Sequence, residues 1–242
     1  RGPDRQHPGQ CGGGMMVFLH RGGPTGEVGI SAGDLEIGQV VHLNESGVPI
    51  DYLVVHQGIP YNLYDASCEG TWLLRKDIRE MGPWNTSNVN TLAGSTIMTT
   101  MAKYVQDYDR RVQEAIRTIK IPYCVGGGDY TTINGGGNGL DCKLFPLSGY
   151  EMGLNKSDVP NIPIDGAKLA YFESGIGESA TKKRSADNIY YTRTAFETSY
   201  NDAVLLCYTT GKHGGAVLNT PGGYRCALIL PYNFKFLKSE VL

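Results

Sequence analysis

Residues 188–231 set the tightest limits on what this chain can fold into. Their apolar runs are short, 204–206 and 228–230 being the strongest, and Gly, Asn and Thr stand between them. Runs of that length read as buried strands, and Gly211, Gly214, Gly215, Gly222 and Gly223 mark turns. Around them stand Tyr190, Tyr191, Tyr200, Tyr208 and Tyr224 in a background of Ser, Thr, Asn and Asp. Tyrosine among small polar residues joins rigid apolar contact to adaptable hydrogen bonding. That is the composition of a binding surface rather than of an acid–base site.

A chain of 242 residues is sized for one large domain, or one domain with an appendage. Forty per cent hydrophobic and 19% charged residues suffice for a packed core, which excludes a disordered chain. Glycine, at 33 residues, is about twice its usual share. Tyr at 15 outnumbers Phe at 6 and Trp at 2, as in a strand- and loop-rich fold. A formal net charge of −2 gives no electrostatic reason to expect nucleic acid as a partner. No apolar run approaches the ~18 residues of a membrane span, so no membrane insertion is expected.

The first ten residues lack the apolar centre of a secretory signal. Residues 1–26 read as a flexible tail or upstream sequence, with 1–14 outside the fold. Residues 27–236 read as a single domain and 237–242 as a C-terminal tail. The six cysteines, at 11, 68, 124, 142, 207 and 226, form no C-x-x-C pair and have no His cluster beside them, which argues against zinc. They read as reduced, mostly buried thiols of a protein made in a reducing cytoplasm. Bridges between Cys124 and Cys142 or between Cys207 and Cys226 are sterically allowed.

Along the chain, strands are expected near 37–41, at 48–56 after a Glu45-Ser46-Gly47 turn, and at 71–76. Residues 79–90 read as a loop carrying Trp84. The clearest helix begins near Ser95 and spaces Ile97, Met98, Met101 and Val105 on one face. A second, about 109–118, has Asp109 as N-cap. Residues 119–123 return as an edge strand ended by Pro122. Residues 125–141, with two glycine triplets, read as a flexible loop; no phosphate-loop spacing is present. Ser148 and Glu151 form a capping box over a short helix at 149–153. Residues 167–172 read as a strand or short helix.

The motif order is Tyr64-Asp65-Ala66-Ser67, Trp72-Leu73-Leu74-Arg75, Ile121-Pro122-Tyr123, then Leu147-Ser148-Gly149-Tyr150-Glu151. Tyr190-Tyr191-Thr192-Arg193-Thr194 and Gly223-Tyr224-Arg225-Cys226-Ala227 follow. Over residues 30–236 this resembles a domain family of unknown function, widespread in prophages and gut-bacterial genomes and often given tail-fibre or virion-structural names. That family pairs a Leu-Ser-x-x-Glu element with a Trp-Trp-x-Arg-Ser strand and a closing Gly-hydrophobic-Arg-Pro-Ala strand. Here Tyr190-Tyr191 replaces the paired Trp, and Cys226 stands in place of Pro.

The resemblance implies an α+β, C-type-lectin-like domain. In it two main helices would pack on short antiparallel strands, ahead of a long, loop-rich C-terminal half. It also implies a variable face that binds host-surface ligands, diversified by retroelements in some related proteins. The Glu-Pro-Asn, Gln-Pro-Asp and Trp-Asn-Asp elements of calcium-dependent sugar binding are missing, so no metal is expected.

The candidate ligand-binding residues are Tyr191, Arg193, Glu197, Tyr200, Asn201, Asp202, Tyr208, Lys212, His213 and Tyr224. For Arg193 and Arg225 the plainer reading is partial burial, with five fixed donors stitching loop carbonyls together. One of Tyr190 and Tyr191 should point inward and the other outward. Tyr200 is the foremost exposed contact, and Lys212-His213 read as a mobile turn.

The expected function is non-catalytic and needs no cofactor. It is that of a virion or tail-associated protein, made in the bacterial host cytoplasm, that binds a bacterial surface glycan or protein. It would act as a homo-oligomer among other virion proteins. The alternatives are a purely structural tail or capsid-decoration subunit and, from another class, an enzyme. The enzyme would be a cysteine-dependent oxidase using Cys207 and Cys226, or a glycan-processing one using paired carboxylates.

Overall fold

The strands expected at 204–206 and 228–230 form, but Gly214, Gly215, Gly222 and Gly223, read as turn markers, lie within paired strands, and so does His213. The computed structural model describes residues 2, 29–173, 177–197 and 202–242, the side chains of Glu197 and Asp202 excepted. The first elements are β1 (Ile30–Ser31), β2 (Val40–Glu45), β3 (Val48–Gln57), β4 (Thr71–Arg75) and β5 (Met81–Pro83). Next come α1 (Thr96–Tyr104), α2 (Arg110–Ala115), β6 (Ile119–Ile121), β7 (Tyr123–Gly126), β8 (Asp129–Asn134), β9 (Leu140–Cys142) and α3 (Ala180–Arg184). The last are β10 (Tyr190–Glu197), β11 (Asp202–Cys207), β12 (His213–Ala216), β13 (Pro221–Gly223), β14 (Ala227–Leu230) and β15 (Lys235–Phe236).

Two sheets carry the fold. One is four-stranded and antiparallel, in the order β14-β4-β3-β2. The other is five-stranded, β12-β11-β10-β13-β5, and its β10–β13 pair is parallel. Both contribute to one apolar cluster, with Val54, Trp72 and Leu228 from the first and Tyr190, Val204 and Leu206 from the second. A second cluster, of Leu154, Val159, Ile162, Phe196, Ala203 and Leu205, covers the other face of β10 and β11. Successive strand residues point to opposite faces, so Val204-Leu205-Leu206 is an unbroken apolar run because both faces are covered.

Local chemistry sets the turns. The β2–β3 hairpin closes through Ser46 (φ 51°) and Gly47 (φ 83°), with Glu45 opposite Val48. Positive φ at both central residues is the two-residue turn whose twist matches paired strands. Ser95 caps α1 by accepting the Met98 N–H, and Asp109 caps α2 by accepting that of Val112. Ile97, Met98, Met101 and Tyr104 bury one face of α1.

The expected α+β, C-type-lectin-like arrangement of two main helices on strands is overturned. The chain is mostly β, and among the described residues the α-helices span nine, six and five residues. Helices of one to three turns are too short to cover a sheet, and both sheets instead feed one shared apolar cluster to which α1 and α2 add a few side chains. The capping box at Ser148 and Glu151 forms in both directions, at 2.8 and 3.0 Å, but no α-helix follows. Gly153, at φ +79°, turns the chain away after a single turn.

Residues 125–141 are not a loose loop. They fold as the β7–β8 hairpin, a 3-10 turn and β9. Gly126, Gly127 and Gly128 all take positive φ at the hairpin turn, and the Gly127 N–H donates to Asn90 Oδ1 at 2.7 Å. Nor do residues 237–242 hang free. Leu242 N–H donates to the Val40 carbonyl at 3.0 Å, and Glu240 pairs with Arg111 at 2.5 Å.

Candidate functional site

Arg193 lies at the centre of β10 with no exposed surface, and Glu151 beside it has none either. The guanidinium meets the carboxylate with two bonds, Nη1 to Oε2 at 2.5 Å and Nη2 to Oε1 at 2.6 Å. Its remaining donors go to the carbonyls of Pro122 (2.9 Å), Pro146 (3.1 Å) and Asp165 (3.2 Å). One side chain thus ties β10 to the segments at 122, 146–151 and 165. The Glu151 carboxylate also accepts from Tyr64 Oη at 2.6 Å and from the Ser148 N–H. The carboxylate is held in place from four directions, which is why the capping box persists without a helix behind it.

Arg225 and Arg184 repeat the device. Arg225 Nε donates to the Arg75 carbonyl at 2.9 Å, and its Nη1 reaches Tyr190 Oη at 3.1 Å. Arg184 donates to the carbonyls of Gly211 and Met152, each at 3.0 Å. Among the described residues, Arg193 and Arg225 are therefore internal fasteners with no surface to offer. Tyr191 and Tyr224 are buried as well, and their hydroxyls donate to the carbonyls of Thr220 and Pro83. Tyr190 is also buried, so the expected inward–outward split of the tyrosine pair does not occur. Both faces of β10 are covered.

Cys207 and Cys226 are free, buried thiols. Cys207 belongs to the five-stranded sheet, while the Cys226 carbonyl accepts from Arg75 N–H at the end of β4. Burial pushes the Cys207 thiol up to about 11 and that of Cys226 up to about 12. That is the reverse of the lowered pKa that makes a thiolate nucleophile. Among the described residues, no three His, Cys, Asp or Glu side chains converge as metal ligands would.

What reaches the surface is the turn between β11 and β12. Tyr208 is 42% exposed, Lys212 is exposed and His213 is half-buried. The turn is closed by Tyr208 N–H to Lys212 O and Gly211 N–H to Tyr208 O, both 2.8 Å. A Cβ added at Gly214 would collide with the Tyr208 phenol, so the ring rests on that glycine. Tyr200 and Asn201 lie outside the described residues. Their flanking residues Glu197 and Asp202 pair at one end of the β10–β11 ladder, and Cys207 pairs with Tyr190 and His213 at the other. Glu197 and Asp202 thus stand at one end of the β10–β11 ladder and the Tyr208 turn at the other.

Asp165 completes the buried network. Its Oδ2 accepts from Thr194 Oγ1 at 2.9 Å, while Oδ1 has no hydrogen-bond partner. Burial raises its carboxyl to about 6, against the lowering pull of Arg193. The native state therefore holds a proton that the unfolded chain, with a carboxyl near 4, releases. Stability from this group is present below about pH 4 and falls as pH rises through about 6. Asp165→Asn should remove that slope. Urea unfolding of both proteins at intervals from pH 4 to pH 7 should show the variant gaining on the parent by on the order of 2 kcal/mol.

A family described as a domain of unknown function (DUF6273) matches residues 69–232, more than half of the chain. The chain belongs to this family. No curated protein and no solved structure matches it. The DUF6273 stretch runs from just before β4 to just after β14 and so contains Glu151, Arg193, Arg225 and the Tyr208 turn. It omits β2 and β3, yet β3 lies between β2 and β4 in the four-stranded sheet. The folded unit therefore extends beyond the DUF6273 boundaries. No helix among the described residues is long and apolar enough to cross a membrane.

Proposed function

We propose that this DUF6273 protein is a non-catalytic binding module of a phage particle or tail that contacts a bacterial surface ligand. The observation that carries the reading is the Tyr208 turn. There an aromatic ring rests on Gly214 with 42% of the residue open to solvent, next to Lys212 and His213. A tyrosine held in one orientation loses little conformational freedom on contact, and lysine and histidine supply hydrogen bonds at its rim. The ion pairs at Arg193 and Glu45 are committed to holding the fold, which leaves recognition to side chains in turns. The phage setting rests on the order of sequence motifs. A single contact of this size is weak, so particle-borne copies would gain avidity by multivalence.

A structural tail subunit is the second reading. It is favoured by β12, which ends its sheet and leaves an edge that another chain could join. One experiment separates the two. Tyr208→Ala with His213→Ala should leave melting and particle assembly unchanged and reduce binding of labelled protein to host cells by about tenfold. Undiminished cell binding would overturn the contact face. Particles that fail to assemble would establish the structural role instead.

A further inference from the structure

At the far end of the four-stranded sheet, where β3 and β14 finish and β4 begins, lies a shallow cleft of about 550 Å3. It is lined by Ser31, Gly33, Asp34, Gln57, Tyr232 and Asn233. Its floor is built and rigid. Gly33 N–H donates to the Tyr232 carbonyl at 3.0 Å, and Ala32 N–H to that of Phe234 at 2.8 Å. Gln57 is fully engaged: its Nε2 donates to the Ala32 and Leu35 carbonyls, each at 3.0 Å, and its Oε1 accepts from Thr71 at 2.8 Å.

Tyr232 is fixed at both ends. Its hydroxyl donates to Glu69 Oε1 at 2.6 Å. A Cβ at Gly33 would lie 3.0–3.3 Å from Cβ, Cδ1 and Cγ of Tyr232, and one at Gly58 would lie 3.3 Å from its hydroxyl. The root of the side chain thus rests on one glycine and its tip on another. The ring lies along the surface with 39% of the residue open to solvent. Asp34 and Asn233 flank it, both exposed, and neither side chain has a hydrogen-bond partner among the described residues.

These groups define the ligand. An aromatic ring laid along the surface offers a hydrophobic platform to a flat, partly apolar face. Beside it a carboxylate accepts hydrogen bonds and an amide both donates and accepts, which suits neighbouring hydroxyls. Asp34 and Glu69 disfavour phosphates and nucleic acids. A lone ring with its neighbouring carboxylate already tied to the phenol is not the cage that holds an organic cation. We propose that this cleft binds a neutral saccharide, with Tyr232 stacked on a sugar ring and Asp34 and Asn233 on its hydroxyls. The site stands apart from the Tyr208 turn and does not depend on the role assigned there.

The test is a titration of the isotope-labelled full chain, followed through its backbone amides. The probes are maltose, cellobiose and N,N′-diacetylchitobiose, each taken to millimolar concentration. At least one should shift the amides of Gly33, Asp34 and Asn233 saturably. Tyr232→Ala and Asp34→Ala should each weaken that binding by about tenfold while the remaining spectrum stays folded. Tyr232→Phe keeps the platform and should lose less. The proposal fails if none of the three sugars gives saturable shifts. It also fails if the shifts survive Tyr232→Ala and Asp34→Ala undiminished, or if they centre on Tyr208.

Discussion

Arg193→Met is expected to lower stability by about 3–5 kcal/mol, the cost of leaving one half of a buried ion pair without the other. Whole domains are stable by only about 5–15 kcal/mol, so this loss is a large share of the total. Urea midpoints or thermal melting report it directly. Two further consequences separate this from an ordinary loss of packing. Arg193→Lys should recover little, because an ammonium cannot bond both Glu151 oxygens and the carbonyls of Pro122, Pro146 and Asp165 together. Adding Glu151→Leu to Arg193→Met removes the stranded carboxylate and should restore part of the loss. It should not restore all of it, since those three carbonyls still lack their donor.

Gly211→Ala is the second large effect. Gly211 has φ +76°, which costs a side chain about 1 kcal/mol or more. At Gly47, where φ is +83° and nothing lies within 4 Å of an added Cβ, that strain is the whole expected penalty. At Gly211 the new carbon would overlap the Thr181 carbonyl oxygen at the start of α3. The neighbour is backbone and cannot rotate away, so the turn and α3 must separate, and overpacking adds about 1–3 kcal/mol. Separation also endangers the bond from Arg184 Nε to the Gly211 carbonyl. The expected loss is about 3 kcal/mol, against about 1 kcal/mol for Gly47→Ala, read from paired denaturation curves. The same turn carries Tyr208, so Gly211→Ala should also disturb the proposed contact face.

What could be read from the sequence was local. The Ser46-Gly47 turn, the caps at Ser95 and Asp109, the capping box at Ser148 and the strands at 71–75, 204–206 and 228–230 each depend on residues within a few positions. Long-range partners were out of reach. Glu151 looks like a cap until Arg193 meets it across 42 positions. The glycines at 126–128 look mobile until Asn90, 37 positions before Gly127, takes its N–H. The arginines were legible in kind, because five fixed donors suit loop carbonyls, but which loops they join is a property of the fold.

The expectation of two main helices packed on short strands failed for a similar reason. Periodicity marked α1 correctly but carried no information that strands from both sheets would share one apolar cluster. Tyr191 and Tyr224 matched the composition of a surface, yet burial on both faces of β10 drew Tyr191 inside. Tyr232 was missed as a contact because its supports, Gly33, Gly58 and Glu69, come from three distant segments.

The buried charges of this domain hold its fold together from within. Side-chain nitrogen NMR of Arg193 tests this most directly. A guanidinium gripped by Glu151 and three carbonyls should give separate, slowly exchanging Nε–H and Nη–H signals at neutral pH. A single averaged guanidinium signal exchanging rapidly with water would mean that Arg193 does not fasten these segments.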